Sequence, residues 1–237
     1  MLSFRKLAPA LALAATFVAS PALADAIVFD ASDAGTNYTL NYDGNISGTT
    51  VGGLSGSTVF TLTGISGNTY NFNYSVTNTS TSPLTSSRIS SFAFNVDPSI
   101  TSATSTGAFA FTTLNSNYPN GVGLVDVCFK DAATGSCAGG GGGGLTMGQS
   151  GTGTFSLSFA QPVTSATLSD FFLRYQSISG AGFNGASGTG SGTVSSTSTS
   201  SGGTPVPEPG MLGLMAMTLM LGAAAHGRRR RQVLRAA

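Results

Sequence analysis

Tyr70-Asn71-Phe72-Asn73-Tyr74-Ser75-Val76-Thr77 alternates large apolar and small polar side chains without a break. A period of two places Tyr70, Phe72, Tyr74 and Val76 on one face of an extended strand and leaves the amides and hydroxyls on the other. The same pattern recurs along the chain. Phe60 and Leu62 alternate with threonines in Thr58–Thr63, and Phe92, Phe94 and Val96 repeat it, as do Phe155, Leu157 and Phe159. Leu168–Ile178 carries aromatic or branched residues on both faces, which predicts a central strand. Ala26–Asp30, Thr36–Tyr42, Ala108–Thr112 and Val122–Phe129 are shorter candidates. Asp43-Gly44, Ser66-Gly67-Asn68 and Asp97-Pro98 read as turns between them. No helical stripe interrupts the series. The expected fold is all-β, a single antiparallel β-sandwich of immunoglobulin-like or jelly-roll-like kind over residues 25–184.

The charge of the 237-residue chain is distributed in blocks. Lys and Arg number 10 and acids 9, giving a formal net charge of +1. Arg5 and Lys6 open the chain, and Arg228, Arg229, Arg230, Arg231 and Arg235 end it. Between Asp25 and Thr204, three cations (Arg88, Lys130, Arg174) stand against eight aspartates, leaving five net negative charges. So few cations exclude a nucleic-acid-binding role for the middle. The one histidine, His226, lies near the C-terminus, which removes Ser-His-Asp and His-metal chemistry from the middle.

The N-terminus has a short basic start, an apolar stretch Leu7–Val18 and the small-x-small triplet Ala22-Leu23-Ala24. This is the layout of a signal peptide over residues 1–24, cut by signal peptidase between Ala24 and Asp25. The C-terminus has three parts. Pro205-Val206-Pro207-Glu208-Pro209-Gly210 cannot be helical. Met211–Ala225 carries no charge, and a transmembrane helix over 211–227 would be about 25 Å long. Four consecutive arginines follow and are expected to stay cytoplasmic.

Val206-Pro207-Glu208-Pro209, the apolar segment and Arg228–Arg231, in that order, resemble the PEP-CTERM sorting signal of Gram-negative bacteria. The resemblance covers residues 205–237. It implies processing by exosortase, a membrane-embedded cysteine protease-transpeptidase, after transient anchoring in the inner membrane. It also implies delivery to the cell surface or extracellular space, in a setting rich in exopolysaccharide, the expected partner.

Two segments read as linkers. Gly185–Thr204 is almost wholly Gly, Ser and Thr, too poor in apolar area to fold alone, and is expected as a coil. Gly139–Gly144 is six consecutive glycines. Leu145-Thr146-Met147 follows rather than the Lys-Ser/Thr of a phosphate loop, so a flexible connection between two strands is expected.

Cys128 and Cys137 close a ten-residue segment with turn residues between them. Export predicts a disulfide contributing about 2.5–3 kcal/mol by loop entropy. A metal centre would need further ligands, and none is expected. The cysteine pair, the glycine tract and Phe171-Phe172-Leu173-Arg174-Tyr175-Gln176 together resemble the cistern group of PEP-CTERM proteins. Asp25, Asp30 and Asp33 cluster, and Asp126 and Asp131 flank Cys128, but they form no calcium loop and read as solvated turn acids. Arg174 is expected to pair with Asp170 or Asp126. No cofactor and no catalytic residue is assigned.

These features predict a non-enzymatic surface or matrix protein with a structural or adhesive role. A carbohydrate-binding module is the alternative, with Tyr70 and Tyr74 as a sugar platform. A glycoside hydrolase would require a pocket with two carboxylates about 5–10 Å apart.

Overall fold

The computed structural model describes residues 25–140 and 142–199. The expected signal peptide over residues 1–24, the expected sorting motif Val206–Pro209, the apolar segment and the arginine cluster lie outside them. Among the described residues no helix is long and apolar enough to cross a membrane.

Among the described residues twelve strands make up the fold. They are β1 (Ile27–Asp30), β2 (Thr36–Ile46), β3 (Thr49–Ser66), β4 (Thr69–Asn78), β5 (Leu84–Asp97), β6 (Ile100–Ser105), β7 (Phe111–Tyr118), β8 (Gly123–Lys130), β9 (Leu145–Thr146), β10 (Ser150–Phe159), β11 (Ser165–Gly180) and β12 (Phe183–Thr199). They form one sheet in the order β6-β10-β4-β3-β2-β12-β11-β5-β8-β7, with β1 added on β11 and β9 on β5. The two edge strands, β6 and β7, are consecutive in the chain and joined by a single 3-10 turn, Gly107–Phe109. The sheet therefore nearly closes on itself.

The expected all-β antiparallel class holds, but the architecture is barrel-like rather than a sandwich. The difference lies in strand length and bulges. β3 runs for 18 residues and β11 for 16, and the β5–β11 ladder shifts register repeatedly, between Ser169 and Phe172 and again between Gln176 and Ser179. Asp170 and Ser177 take positive φ at these shifts. Each bulge bends its strand and adds twist, so a long sheet coils instead of splitting into two layers.

The alternating residues line the interior as their period requires. Phe60, Phe94, Phe155 and Phe171 sit in one core with Tyr70, Phe72 and Tyr74, and all are buried. Phe72 and Phe155, opposite each other on β4 and β10, stack with centroids 4.6 Å apart. Buried phenols reach partners in most cases: Tyr42 lies 2.9 Å from the Thr58 hydroxyl, and Tyr74 donates to Thr106 O at 2.8 Å. β11 lies between β12 and β5, central as its two-faced apolar pattern predicts.

Residues 185–199, expected as coil, are instead most of β12. It pairs Gly190 with Leu173 and Gly188 with Tyr175, and its other edge meets β2. The reason is a glycine period of two. Gly188, Gly190 and Gly192 face inward, where a β-carbon on Gly192 would lie 2.6 Å from Tyr42 Cε1 and one on Gly190 3.1 Å from Tyr175 Cε2. The tyrosines supply the volume that β12 lacks. Residues 200–204 of the expected linker lie outside the described residues.

Two local readings also change. Asp43-Gly44 lies inside β2 at a register shift rather than in a turn, with Gly44 packed against Leu54. Ala108–Thr112 is divided between the 3-10 turn and the start of β7.

Candidate functional site

The inner face of the barrel is core, so chemistry must come from outside it. The outer face of β5, β7, β8 and β11 carries a second, small core of Ala93, Tyr118, Val125, Cys128 and Cys137. The segment between β8 and β9 folds over it. Period-two alternation explains the placement: Val127 and Phe129 point into the barrel, so Cys128 and Lys130 share the opposite face. Cys128 stands opposite Ala93 of β5 and Thr113 of β7.

All three cations of the folded region converge on this segment. Arg88 donates to Asp131 Oδ2 at 3.2 Å, to Gly140 O at 2.7 Å, to Gln176 Oε1 at 2.6 Å and to Gly143 O. Arg174 donates to Ala138 O at 3.0 Å and to Asn120 Oδ1. Lys130 donates to Thr113 Oγ1 at 2.6 Å and to Thr134 O. Ala138 O also accepts from Gln176 Nε2 at 2.9 Å, and Cys137 O from Ser91 Oγ at 3.0 Å. The backbone carbonyls of a side-chain-poor loop are thus satisfied by side chains of the sheet, as burial requires. Gly139 takes φ +72°, and a β-carbon there would lie 2.6 Å from Ser90 Cβ, so the close approach needs glycine. The tract joins two strands as expected; Gly139 and Gly140 are buried and packed, Gly142 and Gly143 are exposed, and Gly144 is half-buried.

The expected Arg174–Asp170 or Arg174–Asp126 pair is not formed. Asp170 accepts from Asn95 Nδ2 at 3.0 Å, and Asp126 from Val96 N at 2.8 Å. Four residues along an extended chain span about 13 Å, so Asp170 is out of reach of Arg174 in the same strand. Among the described residues the one ion pair is Arg88–Asp131, its side chains 9% and 1% exposed.

Cys128 and Cys137 meet as free, fully buried thiols. Both belong to the same small buried core. Burial, and then the neighbouring Cys137, push the Cys128 thiol up. The neighbouring Cys128 holds Cys137 below the ordinary thiol range against the effect of its burial, helped by Ser116 and by the charge of Lys130. Tyr118 roofs the pair; burial holds its phenol well above the usual value, hence neutral, and it donates to Ser91 O at 3.2 Å.

The other expected sites resolve into structure. Asp25 accepts from Val194 N at 2.9 Å. Asp30 and Asp33 form a capping box around the 3-10 turn Ala31–Asp33, and Tyr38 donates to Asp33 Oδ1 at 2.7 Å. Among the described residues no three His, Cys, Asp or Glu side chains converge on a metal position. Tyr70 and Tyr74, the expected sugar platform, are core residues with 0% and 2% exposure. A cavity of about 450 Å³ opens beside the loop, walled by Ser87, Arg88, Thr146, Met147 and Ser177, with no carboxylate among its lining residues.

The convergence of Arg88, Lys130 and Arg174 was not foreseen from the sequence. Their scarcity was the available signal: three cations in an otherwise cation-free domain, each adjacent to strand residues of strong alternation. Compared with known proteins, the chain matches no family model, no curated protein and no solved structure.

Proposed function

We propose that this chain is an exported, non-enzymatic protein of a bacterial cell surface or extracellular matrix, processed at both ends and carrying a structural or adhesive β-barrel. Signal peptidase would act after Ala24 and exosortase at Val206-Pro207-Glu208-Pro209, with Arg228–Arg231 holding the cytoplasmic side of the membrane during transit. The order of those segments at the two termini supports the route.

The adhesive role rests on the outer face of β6, β10 and β4. Thr69, Asn71, Asn73, Ser75 and Thr77 stand beside Ser158, Ser156, Thr154, Thr152 and Ser150. Hydroxyls pair across strands, Thr104 with Ser156 at 2.7 Å and Thr106 with Thr154 at 2.8 Å. The face is polar without charge, suited to a neutral, hydroxyl-rich polymer such as exopolysaccharide, where it exchanges hydrogen bonds without desolvating ions.

Mass spectrometry of the protein from its native host, with and without exosortase, tests the route. The expected mature chain begins at Asp25 and ends near Val206–Pro209. An intact arginine tail on the surface protein would refute sorting. Retention of the purified protein on exopolysaccharide from the same host tests the role. Loss of retention on replacing Thr154 and Ser156 by lysine is expected, whereas equal retention would remove the face from the argument.

A carbohydrate-binding module is the second reading. The cavity beside Arg88 favours it, since hydroxyls, a guanidinium and the thioether of Met147 line one recess. Retention abolished by Met147→Glu but indifferent to the β10 variants would select it.

A further inference from the structure

Arg174 is 8% exposed, and no carboxylate among the described residues accepts from it. A guanidinium has five N–H donors and no acceptor. Two are used here, Nε–H on Ala138 O at 3.0 Å and one Nη1–H on Asn120 Oδ1, so both donors of Nη2 stay unpaired. Nη2 is nonetheless not buried. Among the described residues the one buried side-chain atom without a hydrogen bond is the Tyr175 hydroxyl. One side of the guanidinium is thus fixed by the protein while Nη2 reaches solvent. The other two cations differ: Asp131 answers Arg88, and Lys130 is 1% exposed. Period two puts Phe172 on the same face of β11 as Arg174. Thr189 and Ser191 of β12 stand directly across from Arg174 and Phe172, in unbroken register, and neighbours of this kind lie about 5 Å apart. Ser191 is exposed, and the Thr189 hydroxyl, like Nη2, is not among the buried unpaired atoms. Phe172 is half-buried, packed on Tyr118 with ring centroids 5.8 Å apart.

We propose that Arg174, with Thr189, Ser191 and Phe172, is a recognition site for a carboxylated sugar, a hexuronate unit of an acidic saccharide. The carboxylate accepts charge-assisted hydrogen bonds from Nη2. The two hydroxyls of β12 exchange hydrogen bonds with the sugar's own, and the open part of the Phe172 ring meets its C–H groups. Three features favour this ligand. The guanidinium is already mostly desolvated and is held by Ala138 and Asn120, so little ordering remains to be done on binding. One unanswered positive charge matches one carboxylate. A phosphate would bring a second negative charge into a domain with five net negative charges between Asp25 and Thr204, and that charge would stand unmatched. The flanking groups are two hydroxyls and part of one ring, which suits a sugar better than an aliphatic acid. The site is separate from the neutral face of β6, β10 and β4, with β3 and β2 lying between β4 and β12 in the sheet, and it is independent of the sorting route.

Calorimetric titration of the purified full-length protein with trigalacturonate tests the site, beside the same trimer with its carboxyls reduced to alcohols. Binding of the acidic trimer is expected, weakened about tenfold or more by reduction, since a hydrogen bond to a charged group is lost. Equal binding of the two trimers supports the neutral face alone and overturns this site, as does binding of neither. Acetate should compete only weakly; acetate as effective as the trimer removes the sugar from the argument and overturns the assignment. Arg174→Gln should abolish the preference for the acidic trimer. Thr189→Glu sets a carboxylate across the strand from Arg174 and leaves the bonds to Ala138 and Asn120 in place, so it decides even if Arg174→Gln does not fold. It should block the acidic trimer, and a Thr189→Glu protein that binds like the wild type refutes the proposal. Should neither variant fold, the comparison of acidic and reduced trimers on the wild type still decides.

Discussion

Gly192→Val separates a strand from a linker at residues 185–199. In a Gly/Ser/Thr coil the substitution would be neutral or slightly favourable, because valine narrows the unfolded ensemble by about 0.4–1 kcal/mol and raises β propensity by at most about 1 kcal/mol. In β12 the new β-carbon would lie 2.6 Å from Tyr42 Cε1, 2.8 Å from Cζ and 3.0 Å from Phe171 Cβ. Neither ring has free space, for Tyr42 is 2% and Phe171 1% exposed. Overpacking of this kind costs about 1–3 kcal/mol. Displacing the Tyr42 ring also breaks its 2.9 Å bond to Thr58 and leaves a buried hydroxyl unpaired, a further loss of about 1–3 kcal/mol. The steric terms exceed the gains, and a net loss of about 1–3 kcal/mol is expected. At about 2–4 °C per kcal/mol for a domain of this size, the midpoint falls by several degrees. Urea unfolding followed by tyrosine fluorescence measures it, with Thr193→Val as the control, since Thr193 is exposed. A Gly192→Val protein as stable as the wild type would refute the inward glycine period and, with it, the assignment of β12 to the barrel.

Other consequences follow from burial and charge. Phe155→Ala removes a ring stacked on Phe72 and packed near Phe60, Phe94 and Phe129, so a loss of about 3–5 kcal/mol in urea unfolding is expected. Arg88→Met strands the buried Asp131 carboxylate and uncaps the carbonyls of Gly140 and Gly143. A loss approaching 3–5 kcal/mol is the usual cost of breaking a buried pair, about as much as opening the loop allows; protection of amides in residues 131–144 should drop before that of the barrel strands in hydrogen exchange. All six tyrosines have phenols pushed up, chiefly by burial. The folded state therefore binds more protons than the unfolded one above about pH 10, so stability is intact below that value and declines as pH rises through it. Tyrosinate absorbance should appear only together with alkaline unfolding, and a gradual rise in the folded protein would contradict the burial of these rings.

The barrel's strands were legible wherever a large side chain marked every second position. β4 and β10 need nothing beyond Tyr70–Val76 and Phe155–Phe159, because each strand carries its own apolar face. β12 was illegible for the complementary reason. Its inward residues are glycines, and their role exists only against Tyr42 and Tyr175, residues on two other strands. Sandwich and barrel share one local pattern, alternation with polar outer faces. What separates them here is where β5 and β11 slip register, at Asp170 and Ser177, positions with no glycine to announce a bulge.

The site was half legible on the same principle. Spacing alone could bring Cys128 and Cys137 together, since the segment between them is short and rich in turn residues. The cations could not be assigned that way. Arg88, Lys130 and Arg174 come from three strands, adjacent only through the order β11-β5-β8, and each ends on backbone carbonyls, acceptors that every sequence has and none advertises. Their common target explains why a domain with so little charge keeps them. A loop with almost no side chains has little apolar area with which to bind the sheet, so its hold must come through hydrogen bonds to its backbone, and charged donors make those bonds about twice as strong as neutral ones. Asp131 answers one of the three charges. Lys130 and Arg174 are answered by neutral oxygens, those of Thr113 and Thr134 and those of Ala138 and Asn120, so their hold on the loop comes through hydrogen bonds rather than ion pairs.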